Sequence, residues 1–250
     1  MNLKDLKKSW DKLGATDALF AVLTKKDKIG GRWDKEEFFL TGRNEVGTTL
    51  QYLKSKKIKI PSGKALDFGC GVGRLTQALA AYFPEVHGVD ISESMIKLAQ
   101  EYNQKDTRCV YHLNTKNDLK IFADATFDFV YSKITLQHME RRYAENYLKE
   151  FLRVLKPGGL IVFQLPERPS DAIVGNQSWR SGVKKLLPDW LLTLYRKLTP
   201  GWRPLIEMYG MTRQEVKDIM QSNGGAVLDI KEDASATKWI SYQYAVTKGN

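Results

Sequence analysis

Residues 64–74 read Lys-Ala-Leu-Asp-Phe-Gly-Cys-Gly-Val-Gly-Arg, and this stretch decides the fold. Its first five residues are typical of a short buried strand, and a helical spacing of apolar residues begins at Arg74. Glycines occupy positions 69, 71 and 73 between the two elements. Glycine suits a backbone that approaches a ligand closely, because it has no Cβ and tolerates positive φ. The stretch therefore predicts a strand, a ligand-binding loop and a helix.

The acidic residue ahead of these glycines narrows the kind of ligand. A glycine-rich loop alone is weak evidence, because dinucleotide-binding proteins also contain one. The carboxylate of Asp67 would repel a pyrophosphate, whereas it suits a cationic amino-acid group. The glycines also follow one another at intervals of two residues, rather than the two-then-three spacing of the dinucleotide motif. Both features favour a ligand with a cationic amino-acid end.

Downstream of this loop, short apolar runs alternate with helical periodicity, a pattern typical of a sheet covered by helices on both faces. The predicted strands are 64–68, 86–90, 108–113, 126–132, 160–165, 227–231 and 240–247. The predicted helices are 74–83, one that Ser92 caps, 140–155 and 212–222. The run at 160–165 is continuously apolar, as expected for a parallel strand buried on both faces. We predict an α/β fold with a mostly parallel sheet of seven strands.

Two regions lie outside the predicted sheet. Residues 1–60 form an N-terminal helical arm, which precedes the main domain at 61–250. Residues from about 166 to 210 form an insertion rich in proline, tryptophan and basic side chains, with helical spacing over 186–198. The insertion follows the fifth strand, beside the carboxyl ends of the strands, where open α/β sheets bind ligands. We predict that the arm covers the site and that the insertion is a helical lid.

Composition excludes several classes of protein. No apolar run approaches the roughly 20 residues of a membrane-spanning helix, and the charged residues 1–14 do not resemble a signal peptide, which predicts a cytoplasmic protein. Two cysteines cannot form a disulfide framework, and no His/Cys cluster has metal-ligand spacing, so no metal site is expected. The net charge of +10 is spread along the chain and is mostly lysine, which favours a solvated surface over a nucleic-acid footprint.

Four segments in order resemble the motifs of the class I S-adenosylmethionine (SAM)-dependent methyltransferase family. They are 65–74, 88–92 with Met95 after it, 127–132 and 155–159. In the second segment Asp90 closes a strand, where a carboxylate can accept hydrogen bonds from both hydroxyls of a ribose. Four ordered matches are more specific than any one motif. The resemblance implies a Rossmann-like fold, SAM as cofactor and methyl transfer as the activity.

The resemblance also implies which residues bind the cofactor. The loop with Asp67 would hold the methionine end of SAM, and Asp90 its ribose. A polar residue after the third strand would meet the adenine; Asn114 is the first choice, and Asn117 and Asp118 are the alternatives. Arg43 of the arm would pair with the cofactor's carboxylate. The full expected set is Asp67, Gly69, Cys70, Gly71, Gly73, Arg74, Asp90, Ile91, Met95, Asn114, Ile134 and Arg43.

One histidine is a candidate for catalysis. A general base is needed only when the acceptor must lose a proton during transfer. His138 follows the fourth strand near the expected site, and its alternative role is to brace that loop by hydrogen bonds. His87 and His112 lie within predicted strands, where a structural role is expected.

The acceptor is expected to be a small molecule, because a bulky aromatic lid favours a closed pocket. An RNA methyltransferase that uses the basic surface and a non-catalytic SAM-binding protein are the alternatives. A dinucleotide-dependent oxidoreductase would share the sheet and Asp90, but Asp67 argues against it. Residues 183–203 also mix basic and aromatic side chains as an interfacial helix does, although a lid helix that packs inward is preferred.

Overall fold

The computed structural model describes residues 1–103, 107–170, 207–234 and 238–249. In these ranges one sheet of seven strands has the order β3-β2-β1-β4-β5-β7-β6. The strands are β1 Lys64–Phe68, β2 Glu85–Asp90, β3 Cys109–Leu113, β4 Phe127–Ser132, β5 Leu155–Pro169, β6 Gly225–Glu232 and β7 Trp239–Lys248. The first five in the sheet are parallel, and β7 runs antiparallel to β5 and β6. The predicted α/β fold with a mostly parallel sheet is confirmed.

The helices follow the capping signals of the sequence. They are α1 Leu3–Val22, α2 Lys35–Ser55, α3 Arg74–Leu79, α4 Glu93–Tyr102, α5 Arg141–Val154 and α6 Arg213–Ser222. Ser92 caps α4 by accepting a hydrogen bond from the backbone N–H of Met95, as predicted. Thr212 caps α6 in a reciprocal pair with Glu215. Within the described ranges, no helix combines the length and the apolar character that crossing a membrane requires.

Two predicted boundaries are wrong. The helix predicted over 74–83 ends at Leu79, because the backbone N–H groups of Ala81 and Tyr82 bond three residues back, to Ala78 and Leu79, and tighten the turn there. The fifth strand is longer than 160–165: it starts at Leu155 and runs to Pro169. Pairing with β7 extends it, so residues 166–169 belong to the sheet and not to the predicted lid. Residues 171–206, the rest of that lid apart from its ends, lie outside the described residues.

In the described ranges, a helical layer covers each face of the sheet. On one face, α5 and α6 bury their apolar sides against alternate strand residues such as Leu66 and Phe163. On the other face, α2 and α3 pack against the intervening residues such as Ala65 and Val162. Because successive strand side chains point to opposite faces, the continuous apolar strands supply both layers. The carboxyl ends of the parallel strands are thereby fixed at one edge.

Two neighbouring strands carry a pair of histidines away from that edge. His87 Nδ1 lies 2.8 Å from His112 Nε2, and His87 Nε2 lies 2.7 Å from Glu85 Oε1. Glu85 accepts a hydrogen bond from His87 Nε2–H. The contact between the two rings is then a single hydrogen bond, with one proton between His87 Nδ1 and His112 Nε2. The rings stack face to face and pack against Phe122, and burial lowers the pKa of His112. The pair is structural, and burial favours the neutral form of His112.

We expect this pair to make folding stability sensitive to acid. A histidine whose folded-state pKa is lowered stabilises the fold above its unfolded pKa, and the contribution is lost as the pH falls through that range, here below about 6.5. His112→Gln keeps a hydrogen-bonding side chain that does not titrate. Urea unfolding between pH 5 and 8 should show the wild-type advantage over the variant shrinking as the pH falls. A constant difference between the two proteins across this range would contradict the assignment.

Candidate functional site

A cavity of about 590 Å³ lies at the carboxyl ends of the parallel strands. Its floor consists of the loop after β1, the end of β2 and the segment after β4. Helix α1 forms the roof, with side chains spaced three to four residues apart on its inner face: Leu3, Leu6, Trp10 and Leu13. The cavity therefore lies at the edge where open α/β sheets bind ligands.

The glycine loop forms part of this floor. Gly69 and Gly71 line the cavity with φ of +76° and +54°, values that side-chain-bearing residues rarely adopt. A Cβ on Gly71 would lie 2.9 Å from Val22 Cγ2, so only glycine lets the end of α1 come this close. Gly73 lies behind the cavity surface as the N-cap of α3. The loop thus presents bare backbone to the cavity.

Asp90 ties this loop to the second strand. Its Oδ2 accepts a hydrogen bond of 2.9 Å from the backbone N–H of Gly71, and its Oδ1 accepts one of 2.8 Å from Ser92 N–H. Burial raises the pKa of Asp90, and these backbone hydrogen bonds oppose the rise. Each carboxylate oxygen keeps a second lone pair, which can accept a hydroxyl of a ligand. Asp90 therefore shapes the loop and faces the cavity.

Asp67 lies beneath the loop instead of at the cavity surface. Its side chain is 1% exposed, and Thr76 Oγ1 donates a 2.7 Å hydrogen bond to its Oδ2. Among the described residues its Oδ1 has no hydrogen-bond partner. Burial raises the pKa of Asp67 to about 7. A cation bound above the loop would favour the ionised form of this carboxyl group.

The roof helix is fastened to helix α4 by Asp11. Asp11 Oδ1 accepts hydrogen bonds from Ser92 Oγ and from the backbone N–H of Glu93, both at 2.9 Å. A carboxylate at a helix N-terminus is favourable, because unpaired N–H groups and the helix dipole meet it there. The close approach is possible because Gly14 faces Ser94, where a Cβ would lie 2.3 Å from Ser94 Oγ. These contacts of Asp11, called the latch below, hold the arm beside Asp90.

His138 lines the cavity with both ring nitrogens engaged. Its Nδ1 lies 3.3 Å from the carbonyl oxygen of Glu207, and its Nε2 lies 3.2 Å from Gln137 Nε2. The carbonyl can only accept, so Nδ1 carries the proton and Nε2 accepts from the amide. Loss of hydration lowers the pKa of His138 to about 4, and Trp10 contacts its ring edge to face. This geometry suits a neutral histidine that braces the loop.

The loop after β4 is held in a strained conformation. Ile134 lines the cavity with φ of +57°, which is unusual for a β-branched residue. Its backbone N–H donates to Oε1 of the fully buried Gln164, whose amide also donates to Ser241 and Gln137. Such strain persists only where the surroundings enforce it, and it concentrates at functional sites. The apolar run at 160–165 concealed this role of Gln164.

Two buried cations face the cavity and have their carboxylate partners behind them. Arg74 donates to Glu45 Oε2 at 2.8 Å, and Lys133 Nζ lies 2.6 Å from Asp233 and 3.6 Å from Glu45 Oε1. Arg74 and Lys133 line the cavity, whereas the two acids do not. The resemblance implied that the segment 133–138 lines the cofactor, but Lys133 was not among the predicted site residues, although it directly follows β4. Its position at the end of a strand was the available signal.

The structure brings most of the predicted site residues together. Those that line the cavity are Gly69, Cys70, Gly71, Arg74, Asp90, Ile91, Asn114, Ile134 and His138. Asp67 and Gly73 support the loop from below, and Met95 is buried in the contact between α1 and α4. Arg43 is exposed on α2 and does not line the cavity. Among the described residues, no group of three or more His, Cys, Asp or Glu could hold a metal.

Comparisons with known proteins agree with this arrangement. Residues 66–163 match the family model described as a methyltransferase domain. The chain is 30% identical over 158 residues to 2-methyl-6-phytyl-1,4-hydroquinone methyltransferase of Synechocystis sp., covering 62% of this chain and 48% of that protein. It is 31% identical over 153 residues to phosphoethanolamine N-methyltransferase of Triticum aestivum, covering 58% of this chain and 30% of that protein. The chain thus spans about half or less of these relatives.

A solved structure extends the likeness to the fold of the whole chain. Magnesium protoporphyrin IX methyltransferase from Synechocystis, with bound SAH, superposes with a TM-score of 0.65 at 16% identity. The match covers 99% of this chain and 100% of that one. At this identity the likeness is one of fold, and it includes the arm as well as the sheet.

Proposed function

We propose that this chain, a member of the class I SAM-dependent methyltransferase family, transfers a methyl group from SAM to a small-molecule acceptor. The observation that carries the proposal is the roofed cavity, in which a bare glycine loop and Asp90 face an apolar helix. The relatives that are named as methyltransferases also support the proposal. A roofed cavity of this size favours a small molecule over RNA as the acceptor.

The residues present fit SAM. The lone pairs left on Asp90 can accept the ribose hydroxyls, and Ile91 beside it offers an apolar surface to the adenine. Asn114 stands at the end of β3, where its amide also orders the following loop. Beneath the loop, Asp67 in its ionised form would supply negative charge below a cationic methionine end.

The carboxylate of the cofactor needs a different partner from Arg43. Arg74 and Lys133 are buried cations on the cavity surface. Arg74 directly follows the glycine loop in the chain, and Lys133 follows β4, the strand that pairs with β1 ahead of that loop. Both are held in place by Glu45, so their ammonium and guanidinium groups are oriented before a ligand arrives. We assign the cofactor's carboxylate to this pair.

The protein's contribution to transfer is alignment and exclusion of water. When bound, SAM would supply an electrophilic methyl group attached to a sulfonium sulfur. The strained backbone at Ile134 fixes one wall, while Trp10 and Leu6 of α1 cover part of the cavity. Holding reacting atoms in line accounts for much of the acceleration of such displacements. His138 stays neutral and braces the wall.

Two measurements test the proposal. Calorimetry with SAM, S-adenosylhomocysteine and NAD should show binding of the first two and none of NAD. Incubation with methyl-tritiated SAM and a cell extract should then place the label in low-molecular-weight material. Label in RNA would favour the RNA methyltransferase alternative. Cofactor binding without any transfer would favour a non-catalytic SAM-binding protein, and absence of SAM binding would refute the proposal.

The latch at Asp11 should control how fast the cofactor leaves. Asp11→Ala removes two hydrogen bonds to α4, and we expect SAM to dissociate about 10-fold faster, since such charge-assisted bonds contribute about 1–2 kcal/mol together. Asp5→Ala is the control, because Asp5 is exposed on the same helix and bonds only to Asn2. Stopped-flow dissociation at the wild-type rate in Asp11→Ala would show that the latch does not gate the cavity.

A further inference from the structure

The cavity surface carries an uneven set of charges. Among the described residues that line it, Arg74, Lys133 and Lys238 are cations and Asp90 is the one carboxylate. His138 adds no charge near neutral pH, because its pKa is lowered to about 4. Glu45 and Asp233 compensate two of the cations from behind. Lys238 is therefore the one cation on the cavity surface that no acid among the described residues compensates.

The third cation differs from the other two. Lys238 precedes β7, is exposed, and has no ion-pair or hydrogen-bond partner for its side chain within the described ranges. Lys133, by contrast, has a side chain that is 9% exposed and is held by two acids. A lysine without a partner at a cavity wall leaves its charge available to a ligand.

The sheet places Lys238 far from the ribose side of the cavity. The adjoining Trp239 pairs with Pro169 at the carboxyl end of β5, whereas Asp90 ends β2. The order β2-β1-β4-β5-β7 puts four strand spacings, about 19 Å at about 4.8 Å each, between the two strands that carry Asp90 and Trp239. Lys238 and Trp239 thus stand at the end of the cavity opposite the proposed adenosine position.

The walls at this end are apolar and adaptable. Trp239 and Met208 line the cavity beside Lys238, and Trp10 and Met139 line it from the roof and from the segment after β4. Flat aromatic rings and flexible methionines suit an apolar or aromatic body of variable shape. The same end therefore combines an apolar surface with a lysine that has no acid partner among the described residues.

We infer that the acceptor is an amphiphilic small molecule with an anionic carboxylate or phosphate group, which Lys238 binds, and an apolar body that contacts Trp239 and Trp10. This inference rests on the proposed function, because it assigns the β5 end of the cavity to the acceptor. A cationic acceptor would be repelled by Lys238 and by the sulfonium of SAM. A neutral acceptor would leave the lysine without a ligand partner. Arg74 and Lys133 are then left for the cofactor.

The test uses protein saturated with S-adenosylhomocysteine, so that the cofactor's own carboxylate does not compete. Quenching of tryptophan fluorescence compares naphthalene-2-carboxylate and 2-naphthyl phosphate with the neutral naphthalene-2-carboxamide. We expect the better anion to bind about 5-fold more tightly than the amide at low salt, and the preference to shrink as salt is added. The anion that binds more tightly indicates whether the anionic group of the acceptor is a carboxylate or a phosphate.

Variants assign the preference to one side chain. Lys238→Met should weaken binding of the anion about 3- to 5-fold, as expected for one exposed ion pair, and leave the amide unchanged. Lys149→Met removes an equal charge from the exposed face of α5 and should change neither. No preference for either anion, including no binding of any probe, would overturn the inference, as would equal effects of the two variants. If calorimetry shows no binding of S-adenosylhomocysteine, the proposed function fails instead.

Discussion

Replacing Asp90 with alanine is expected to weaken SAM binding about 100-fold, close to 3 kcal/mol, because one carboxylate performs two tasks. It would accept the ribose hydroxyls, and it already accepts the backbone N–H groups of Gly71 and Ser92. Without it, the glycine loop loses its tether to β2, and two N–H groups lose their partner. The loss should therefore exceed that of a ligand contact alone.

Calorimetry on Asp90→Ala, Asp90→Asn and a surface control separates the two tasks. Asparagine keeps one oxygen that can accept a backbone hydrogen bond but loses the charge, so we expect an intermediate loss of about 10-fold. Asp218→Ala removes a carboxylate from the exposed face of α6 and should leave the affinity unchanged. Wild-type affinity in Asp90→Ala would remove this residue from the site.

The sequence predicted the floor of the cavity because its determinants are local. Gly69 and Gly71 follow a short apolar strand, and Asp90 closes the next one. In a parallel sheet the carboxyl ends of neighbouring strands meet at one edge, so position along each strand was enough to bring these residues together. The same reasoning placed Asn114 and Ile134 at the cavity.

Arg43 shows where that reasoning failed. Gly42, Val46 and Leu53 lie on the buried face of α2, and Arg43 lies at the exposed flank of that face. The partners assigned in its place, Arg74 and Lys133, are both held by Glu45. Glu45 lies far from them in sequence, and no local pattern specifies such contacts.

Tertiary contacts also decide the roof and the strained wall. The sequence predicted a helical arm that covers the site, but not that Asp11 would meet the N-terminus of α4. Likewise, a glutamine within an apolar strand gives no hint that it accepts from Ile134 N–H and stabilises a left-handed backbone there. A buried polar residue must find a partner, yet the sequence does not name the partner.

The second large effect is expected from Gly69→Ala, which should lower the free energy of unfolding by about 3 kcal/mol. Gly69 has φ of +76°, and an added Cβ would lie 2.2 Å from Cγ2 and from Oγ1 of Thr135. The left-handed backbone contributes about 1 kcal/mol of this loss, and displacement of Thr135 contributes the rest. Because Thr135 belongs to the segment after β4, the displacement would also move the cavity wall.

Gly224→Ala measures the cost of a left-handed backbone alone, since Gly224 has φ of +82° and nothing lies within 4 Å of its added Cβ. We expect it to lose only about 1 kcal/mol, measured by the same denaturant titration. The double variant Gly69→Ala/Thr135→Gly removes the colliding side chain and should recover most of the difference between the two alanine variants. Equal losses in Gly69→Ala and Gly224→Ala would mean that the contact with Thr135 relaxes freely. In that case the glycine loop and the segment after β4 would be mechanically independent, and the alignment proposed for methyl transfer would lose its support.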